Sequence, residues 1–234
     1  KQKTAYEISL GLVGSEMCIR DRDRHSKSIN IIDASSLLGN ARLIKDDHEI
    51  SLMRKACDIS AEAHIEAMKS VKSIDSEQHI ESLYCNEFSK RGGRFQAYTP
   101  IVAGGENACT LHYVENNQNL KKSDLLLVDA GCEYEMYASD ITRTFPVSGK
   151  FSDEQLKIYE IVLEAMNAAI DQVKPGNDIM QPQEISERVI TEGLIRIGLL
   201  EGDPEELHKS GAFKEFYMHK IGHWLGLDVH DAGD

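Results

Sequence analysis

The sequence predicts an α+β fold built from two related halves, each with a helix pair followed by strands. Helical patterns occupy residues 46–91 and return from residue 152, with short β-rich segments between them. The first helix pair is joined through Val71-Lys72, and a second pair is joined through Val173-Lys174, 102 residues later. Two such ααβ halves would form one domain with a site between them, although two ordinary helix pairs could match by coincidence.

The first helix is predicted to begin after Asp46, because Glu49 three residues later completes a capping-box pattern. A second helix is predicted from about Ser76 to Arg91, with Gly92-Gly93 as its stop. Each helix has one apolar side, which is expected to face the core. The residues on these sides are Ile50, Met53, Cys57, Ala61, His64 and Met68 in the first helix, and Ile80, Leu83, Tyr84 and Phe88 in the second.

Strands are predicted where short β-rich segments are bounded by Gly, Pro or polar residues. They are Tyr98–Ala103, Leu125–Ala130, Tyr134–Ala138 and Ile141–Val147. Helices return after Ser152, where Gln155 completes a second capping box, near Pro182–Ile197, and at Asp203-Pro204. The side of the third helix that is expected to be buried carries Ile158, Val162, Ala165, Ala169 and Val173.

The first 44 residues are expected to lie outside the main domain. Residues 1–22 keep neither a strand nor a helix period for long and resemble a translated sequencing adapter, so we expect a non-native or disordered tail. Residues 23–44 contain the apolar run Ile29–Ile32 and then a polar connection, which predicts a remnant of an upstream domain and a linker. The main domain is therefore expected at 45–234.

The composition argues against several classes of partner. The formal net charge is −13 at pH 7, whereas nucleic acid and anionic membrane surfaces bind a basic face. No run approaches 18 consecutive apolar residues, so we expect no spanning helix. The five cysteines form no CxxC pair, which is typical of reduced thiols in the cytoplasm.

Two aspartates stand at the ends of apolar strands. Asp129 follows Leu125–Val128, and Asp140 comes 11 residues later, after a predicted hairpin. A buried carboxylate is costly unless a cation compensates it, and adjacent antiparallel strands can bring two carboxylates to one face. The pair therefore favours a metal site, although either aspartate alone could cap a turn or face water.

Histidines are dense near the end of the sequence. His219, His223 and His230 lie within 12 residues, and His112 is a fourth imidazole of interest. The HxxxH spacing lacks the glutamate of HExxH, so a polar pocket is a better interpretation than a helical zinc-protease site. Carboxylates and imidazole without thiolate favour Mn²⁺, with Co²⁺ or Zn²⁺ as alternatives. Carboxylate-rich sites often hold two metals, beside which free histidines can hold a substrate carbonyl or move protons.

The chain resembles the aminopeptidase P (Xaa-Pro aminopeptidase) family over about residues 30–234. The resemblance is carried by Val128-Asp129-Ala130-Gly131, Ser139-Asp140-Ile141-Thr142-Arg143 and His223-Trp224-Leu225-Gly226-Leu227-Asp228-Val229-His230-Asp231. It implies a pita-bread fold, in which two pseudo-symmetric ααβ halves surround a curved antiparallel sheet. It also implies a metal-dependent aminopeptidase with two divalent ions, expected to be manganese, that removes an N-terminal residue preceding proline.

The resemblance also implies roles for individual residues. It assigns Asp129, Asp140 and His223 as metal ligands, His112, His219 and His230 as active-site histidines that contact substrate or leaving group, and Tyr98 to the wall of the substrate pocket. The implied partners are peptides with proline in the second position, and a homo-oligomeric state stays open.

The resemblance has one departure and leaves two alternatives. The family's last two ligands are glutamates downstream of the histidine segment, and this sequence ends at Asp234. We therefore expect a domain that is incomplete at its C-terminus and inactive by itself. A prolidase has similar motifs, but Arg143-Thr144 and Gly104–Ala108 fit aminopeptidase P better. A non-catalytic pita-bread protein that binds partners would typically lack ligand positions, and here each one within the sequence is filled.

Overall fold

A computed structural model describes residues 34–233. The predicted tail at 1–22 and the apolar run Ile29–Ile32 lie outside the described residues. The chain divides into two compact units, residues 1–41 and 42–234. Helix α1 (Ser35–Leu43) stands where a polar linker was predicted. Gly39 and Asn40 lie within this helix and cost it only about 1 kcal/mol or less each, so they do not prevent it from forming.

The elements that follow alternate as the α+β prediction requires. They are α2 (Asp47–Ser70), α3 (Glu77–Lys90), β1 (Phe95–Gln96), β2 (Ile101–Gly104), β3 (Leu125–Asp129), β4 (Cys132–Tyr134), β5 (Tyr137–Ala138), β6 (Thr142–Pro146), α4 (Asp153–Ile170), α5 (Met180–Arg196) and α6 (Pro204–Ser210). Short 3-10 turns cover Val71–Ser73, Gly105–Cys109 and Ala212–Glu215. No helix among the described residues is both long enough and apolar enough to cross a membrane.

The helix starts follow the local capping chemistry. Both predicted capping boxes are confirmed: the Asp46 side chain accepts from the Glu49 backbone N–H, and the Ser152 side chain accepts from that of Gln155. Asp203 caps α6 in the same way, with Pro204 in the first turn. These side chains satisfy backbone donors that the first turn of a helix leaves free.

Within residues 34–233, six strands form two small antiparallel sheets, with orders β1-β4-β5 and β2-β3-β6. Two strand predictions need correction. Tyr98 lies before β2 rather than in it, and Pro100, which lacks an N–H for the ladder, separates them. The predicted strand Tyr134–Ala138 is interrupted by a hairpin turn at Glu135-Met136, where both residues adopt positive φ, and this turn joins β4 to β5.

The main core lies between the first helix pair and the sheet strands. Its buried members are Ala56, Ile59, Ala63, Ala67, Val71, Ile80, Tyr84, Phe88, Val102, Leu126, Val128, Ala130, Cys132, Phe145 and Val147. The inward side of α3 is thus as predicted, but that of α2 is not, since Ile50, Ala61 and Met68 are exposed. Helix α2 buries a stripe of small residues with His64, and small side chains allow its backbone to lie close to the sheet.

The second helix pair has its own smaller core. Its buried members are Ile161, Ala165, Ile190, Leu194 and Phe213. The predicted side of α4 is wrong at Ile158, Val162 and Val173, which are all exposed. Helix α4 turns Ile161 inward instead, because α5 offers Gly193 at the crossing. A Cβ at Gly193 would lie 2.4 Å from Ile161 Cγ2.

Candidate metal centre

The two predicted aspartates lie at one end of the β2-β3-β6 sheet. Burial alternates along β3, so Leu126 and Val128 face the helices while Asp129 lies on the other face. Asp129 pairs in register with Thr142 of β6, two residues beyond Asp140. Gly131 permits this close approach, since a Cβ there would lie 1.7 Å from the Ser139 carbonyl oxygen.

Tyr98 joins the two carboxylates. Its hydroxyl contacts Asp129 Oδ1 and also lies 2.9 Å from Asp140 Oδ1. A hydroxyl carries one proton, so it can donate fully to only one of two carboxylates at a time. The carboxylate pair is therefore incompletely satisfied, and no Lys or Arg of the described range forms an ion pair with either member.

The electrostatics reflect this crowding. Burial raises the pKa of Asp129, and repulsion by the Asp140 carboxylate raises it further, while hydrogen bonds from Tyr98 and Thr142 oppose the rise. Burial and the two neighbouring carboxylates also raise the pKa of the Tyr98 hydroxyl. A cation bound at this position would therefore stabilise the charged forms of both aspartates.

His223 reaches the same site from the end of the chain. Its Nε2 lies 3.0 Å from Asp140 Oδ2, and its Nδ1 lies 2.9 Å from the Trp224 carbonyl oxygen. A carbonyl only accepts, so Nδ1 carries a proton and donates it. Nε2 is directed at the Asp140 carboxylate and is the ring atom through which this imidazole would bind a metal.

The other predicted histidines differ in how they relate to this group. The His230 ring lies beside that of His223, with a centroid separation of 4.2 Å. His219 is exposed, and its Nδ1 contacts the Lys220 carbonyl. His112 is exposed and has a positive φ of 54°. Within the described contacts, neither His112 nor His219 touches the aspartates.

Ion pairs hold the segment that carries the three histidines, residues 219–231. The Asp231 carboxylate is buried and pairs with Arg42 and, at 2.8 Å, with Lys45 Nζ. Burial acts to raise the pKa of Asp231, but the two cations hold it below its ordinary value. The segment also attaches to β5, because the Ala138 N–H donates to the Gly226 carbonyl at 2.8 Å.

The side chains of Asp129, Asp140 and His223 are suitable ligands for a divalent cation, although they do not converge on a single position. Two carboxylates without a Lys or Arg partner and one imidazole whose Nε2 is directed at Asp140 are suitable ligands for Mn²⁺, Co²⁺ or Zn²⁺. Over residues 34–233, however, no three His, Cys, Asp or Glu side chains converge closely enough to hold a metal ion. Instead, the side chains contact one another in succession: Asp129 contacts Tyr98, Tyr98 contacts Asp140, and Asp140 contacts His223.

Two buried polar residues have structural roles that the sequence pattern did not indicate. Glu77 is fully buried and accepts from four donors, which are the N–H groups of Gly104 and Gln118, the Asn107 amide and the Tyr113 hydroxyl. It therefore anchors the loop that displays His112. His64 was predicted only as one residue on the apolar side of the first helix. The presence of an imidazole on that side is the one sequence feature that could have indicated a polar role.

Comparison with known proteins identifies the family. Residues 51–234 match the model of metallopeptidase family M24. The Xaa-Pro aminopeptidase of Haemophilus influenzae is 51% identical over 203 residues, which are 87% of this chain and 47% of that protein. The structure of Pseudomonas aeruginosa aminopeptidase PepP matches with a TM-score of 0.88 and 47% identity, covering 99% of this chain and 53% of that one.

A zinc-substituted Escherichia coli aminopeptidase P in complex with product matches with a TM-score of 0.86 and 38% identity, over 100% of this chain and 53% of that one. The chain thus spans about half the length of the curated relatives that it matches. The predicted resemblance and pita-bread fold are confirmed. The chain belongs to metallopeptidase family M24.

Proposed function

We propose that the full-length protein is an Xaa-Pro aminopeptidase, which hydrolyses the peptide bond between an N-terminal residue and a following proline. The observation that carries the proposal is the line of contacts that joins Tyr98, Asp129, Asp140 and His223 from three distant parts of the sequence. The name of the H. influenzae relative supplies the substrate class. Peptides with proline second are therefore the proposed partners.

We propose that Asp129, Asp140 and His223 contribute ligands to two divalent ions, with manganese as the metal and cobalt or zinc as alternatives. When bound, such ions polarise the scissile carbonyl and activate water. The residues of this chain orient the ligands: Tyr98 holds the two carboxylates together, and the Trp224 carbonyl accepts from His223 Nδ1 so that Nε2 is directed at Asp140. His112, His219 and His230 are proposed to contact the substrate or to protonate the leaving amine.

The residues of this chain alone are proposed to bind metal weakly and to lack turnover. Three donors are too few to enclose a pair of ions or balance their charge, and among the described residues they do not converge closely enough to hold one. A cytoplasmic location is also proposed, since the four cysteines within the described range are all free.

The test uses full-length protein that has been stripped with chelator and reloaded with Mn²⁺, Co²⁺ or Zn²⁺. Tripeptides with proline or alanine in the second position are compared, together with an Xaa-Pro dipeptide. We expect release of the first residue from the proline tripeptide, and only with metal. Cleavage restricted to the dipeptide would indicate a prolidase instead. Peptide binding without hydrolysis by metal-loaded protein would indicate the non-catalytic alternative.

A further inference from the structure

His64 is a buried imidazole that has no part in the chemistry described above. It lies on α2 and is only 2% exposed. Its Nε2 lies 3.0 Å from the Ile141 carbonyl oxygen and 3.4 Å from that of Ala130. These are the residues that directly follow Asp140 and Asp129. One ring nitrogen therefore contacts the backbone next to both carboxylates, from the helix side of the sheet.

The hydrogen bonds fix the tautomer of this ring. Because both carbonyls can only accept, the Nε2 atom of His64 carries the proton. Its Nδ1 then has a lone pair, which accepts from the Tyr84 hydroxyl at 2.7 Å. Tyr84 is fully buried on α3, and its ring packs edge-on against the imidazole with a centroid separation of 4.9 Å. The donor that faces the two carbonyls is thus held in place by both helices.

The carbonyls lie where the β3-β6 ladder ends. The last ladder pair is Asp129 with Thr142, and beyond it the Ala130 N–H donates to the Ile141 carbonyl at 3.1 Å. Ser60, one helical turn before His64, contacts Ser139 Oγ at 2.8 Å and accepts from the Cys132 N–H at 2.9 Å. Helix α2 therefore holds the chain segments on both sides of Gly131 through two polar side chains on one helix face.

We propose that His64 is a positioning residue of the metal centre: it holds the backbone after Asp129 and after Asp140 in one geometry and thereby fixes the separation of the two carboxylates. The inference rests on the proposed metal site. It assigns His64 no contact with substrate or metal, because the Asp129 side chain lies on the opposite face of the sheet from α2. Outer partners that orient metal ligands typically change metal affinity by about 10- to 100-fold when removed.

Two amide variants of His64 separate this role from a packing role. In His64→Gln the side-chain amide nitrogen is as many bonds from Cα as histidine Nε2, so it can still donate to the carbonyls. In His64→Asn the amide matches only the Nδ1 position and can still meet Tyr84, but the donor to the carbonyls is lost. Both variants lose the ring packing against Tyr84, so a packing role predicts similar effects.

The affinity of full-length protein for Mn²⁺ is measured from the free-ion electron paramagnetic resonance signal, with the melting temperature recorded for each variant. We expect His64→Asn to weaken Mn²⁺ binding by about 10- to 100-fold and His64→Gln by about threefold or less. Equal affinities of the two variants, or an unchanged affinity in His64→Asn, would overturn the inference. If His64→Asn does not fold, His64→Met decides, because its side chain has the length of glutamine but no donor for the carbonyls. Weaker Mn²⁺ binding by folded His64→Met than by His64→Gln supports the inference, and equal affinities overturn it.

The unaltered protein separates failure of the inference from failure of the proposed function. If unaltered protein binds Mn²⁺ and hydrolyses Xaa-Pro peptides while both His64 variants bind Mn²⁺ equally well, only the positioning role is overturned. If the unaltered protein binds no Mn²⁺, Co²⁺ or Zn²⁺, both are overturned.

Discussion

The two helix pairs of this protein share a sequence pattern but differ in what they cover. Helices α2 and α3 pack on sheet strands, and Val71 at their junction is buried, whereas α4 and α5 pack mainly on each other and Val173 at their junction is exposed. The first pair also provides polar groups to the strand region: His64 contacts the backbone beside the two aspartates of the candidate metal centre, and the buried Glu77 carboxylate accepts from the Gly104 N–H. Among the described residues, only the first helix pair is fixed against the candidate site by a sheet.

The largest expected effect tests where that site lies. In full-length protein, Asp129→Ala removes a carboxylate from the face of β3 and should weaken metal binding and peptide turnover by more than about 100-fold, the upper cost of losing an outer partner. Asp153→Ala, an exposed first-turn residue of α4, is the control and should leave both unchanged. Metal content and hydrolysis of a proline tripeptide are the measurements. Retention of both by Asp129→Ala would remove this residue from the site.

The next effect compares the loss of stability caused by the same change, isoleucine to alanine, in each helix pair. Ile80→Ala on α3 empties a fully buried position and should lower the free energy of unfolding by about 2–5 kcal/mol. Ile158→Ala on α4 changes a side chain that is 41% exposed and should change the free energy by about 0.5 kcal/mol or less. Denaturant unfolding of the 234-residue chain checks both values. Equal losses of unfolding free energy would show that Ile80 on α3 and Ile158 on α4 are buried to the same extent.

A third effect appears as a pH dependence of stability. Burial lowers the pKa of His64 from 6.5 to about 4, aided by the charge of Arg143 and opposed by hydrogen bonds to Ala130 and Ile141. As the pH falls below 6.5, the unfolded chain binds a proton that the folded chain does not. The corresponding stability is therefore present above pH 6.5 and is lost between about pH 6.5 and 4, by about 3 kcal/mol in total.

His64→Gln should abolish this component, because the glutamine amide does not titrate in that range. The measurement is the difference between the unfolding free energies of wild type and His64→Gln at pH 7 and at pH 4.5. A difference that stays constant with pH would contradict a neutral, buried imidazole.

The smallest effect should be equal in the two halves. Asp46→Ala and Ser152→Ala each remove one capping box, and each should cost about 1 kcal/mol of unfolding free energy. Capping depends on residues within one turn, so the different surroundings of α2 and α4 should have little influence. Unfolding of Ser51→Ala, an exposed serine within α2, provides the reference. A cap that is worth several times more in one half would show that capping there is coupled to tertiary contacts.

The sequence by itself determined the features that depend on neighbours along the chain. The caps at Asp46, Ser152 and Asp203 were predictable because each bonds a backbone N–H three residues ahead. The α+β order and the family resemblance were likewise predictable from motifs. The placement of Asp129 and Asp140 at strand ends predicted two carboxylates on one face, and a single hydroxyl, that of Tyr98, reaches both of them.

Only the tertiary structure decided which sides of the helices are buried and which side chains support the site. Helix α2 turns Ala56, Ala63 and Ala67 inward although Ile50 and Met68 are more apolar, because a sheet can approach closely only over small side chains. The contacts of His64 with Ile141 and of Glu77 with Gly104 join residues 77 and 27 positions apart. Such pairs leave no periodic signal, because their partners are brought together by chain folding rather than by spacing.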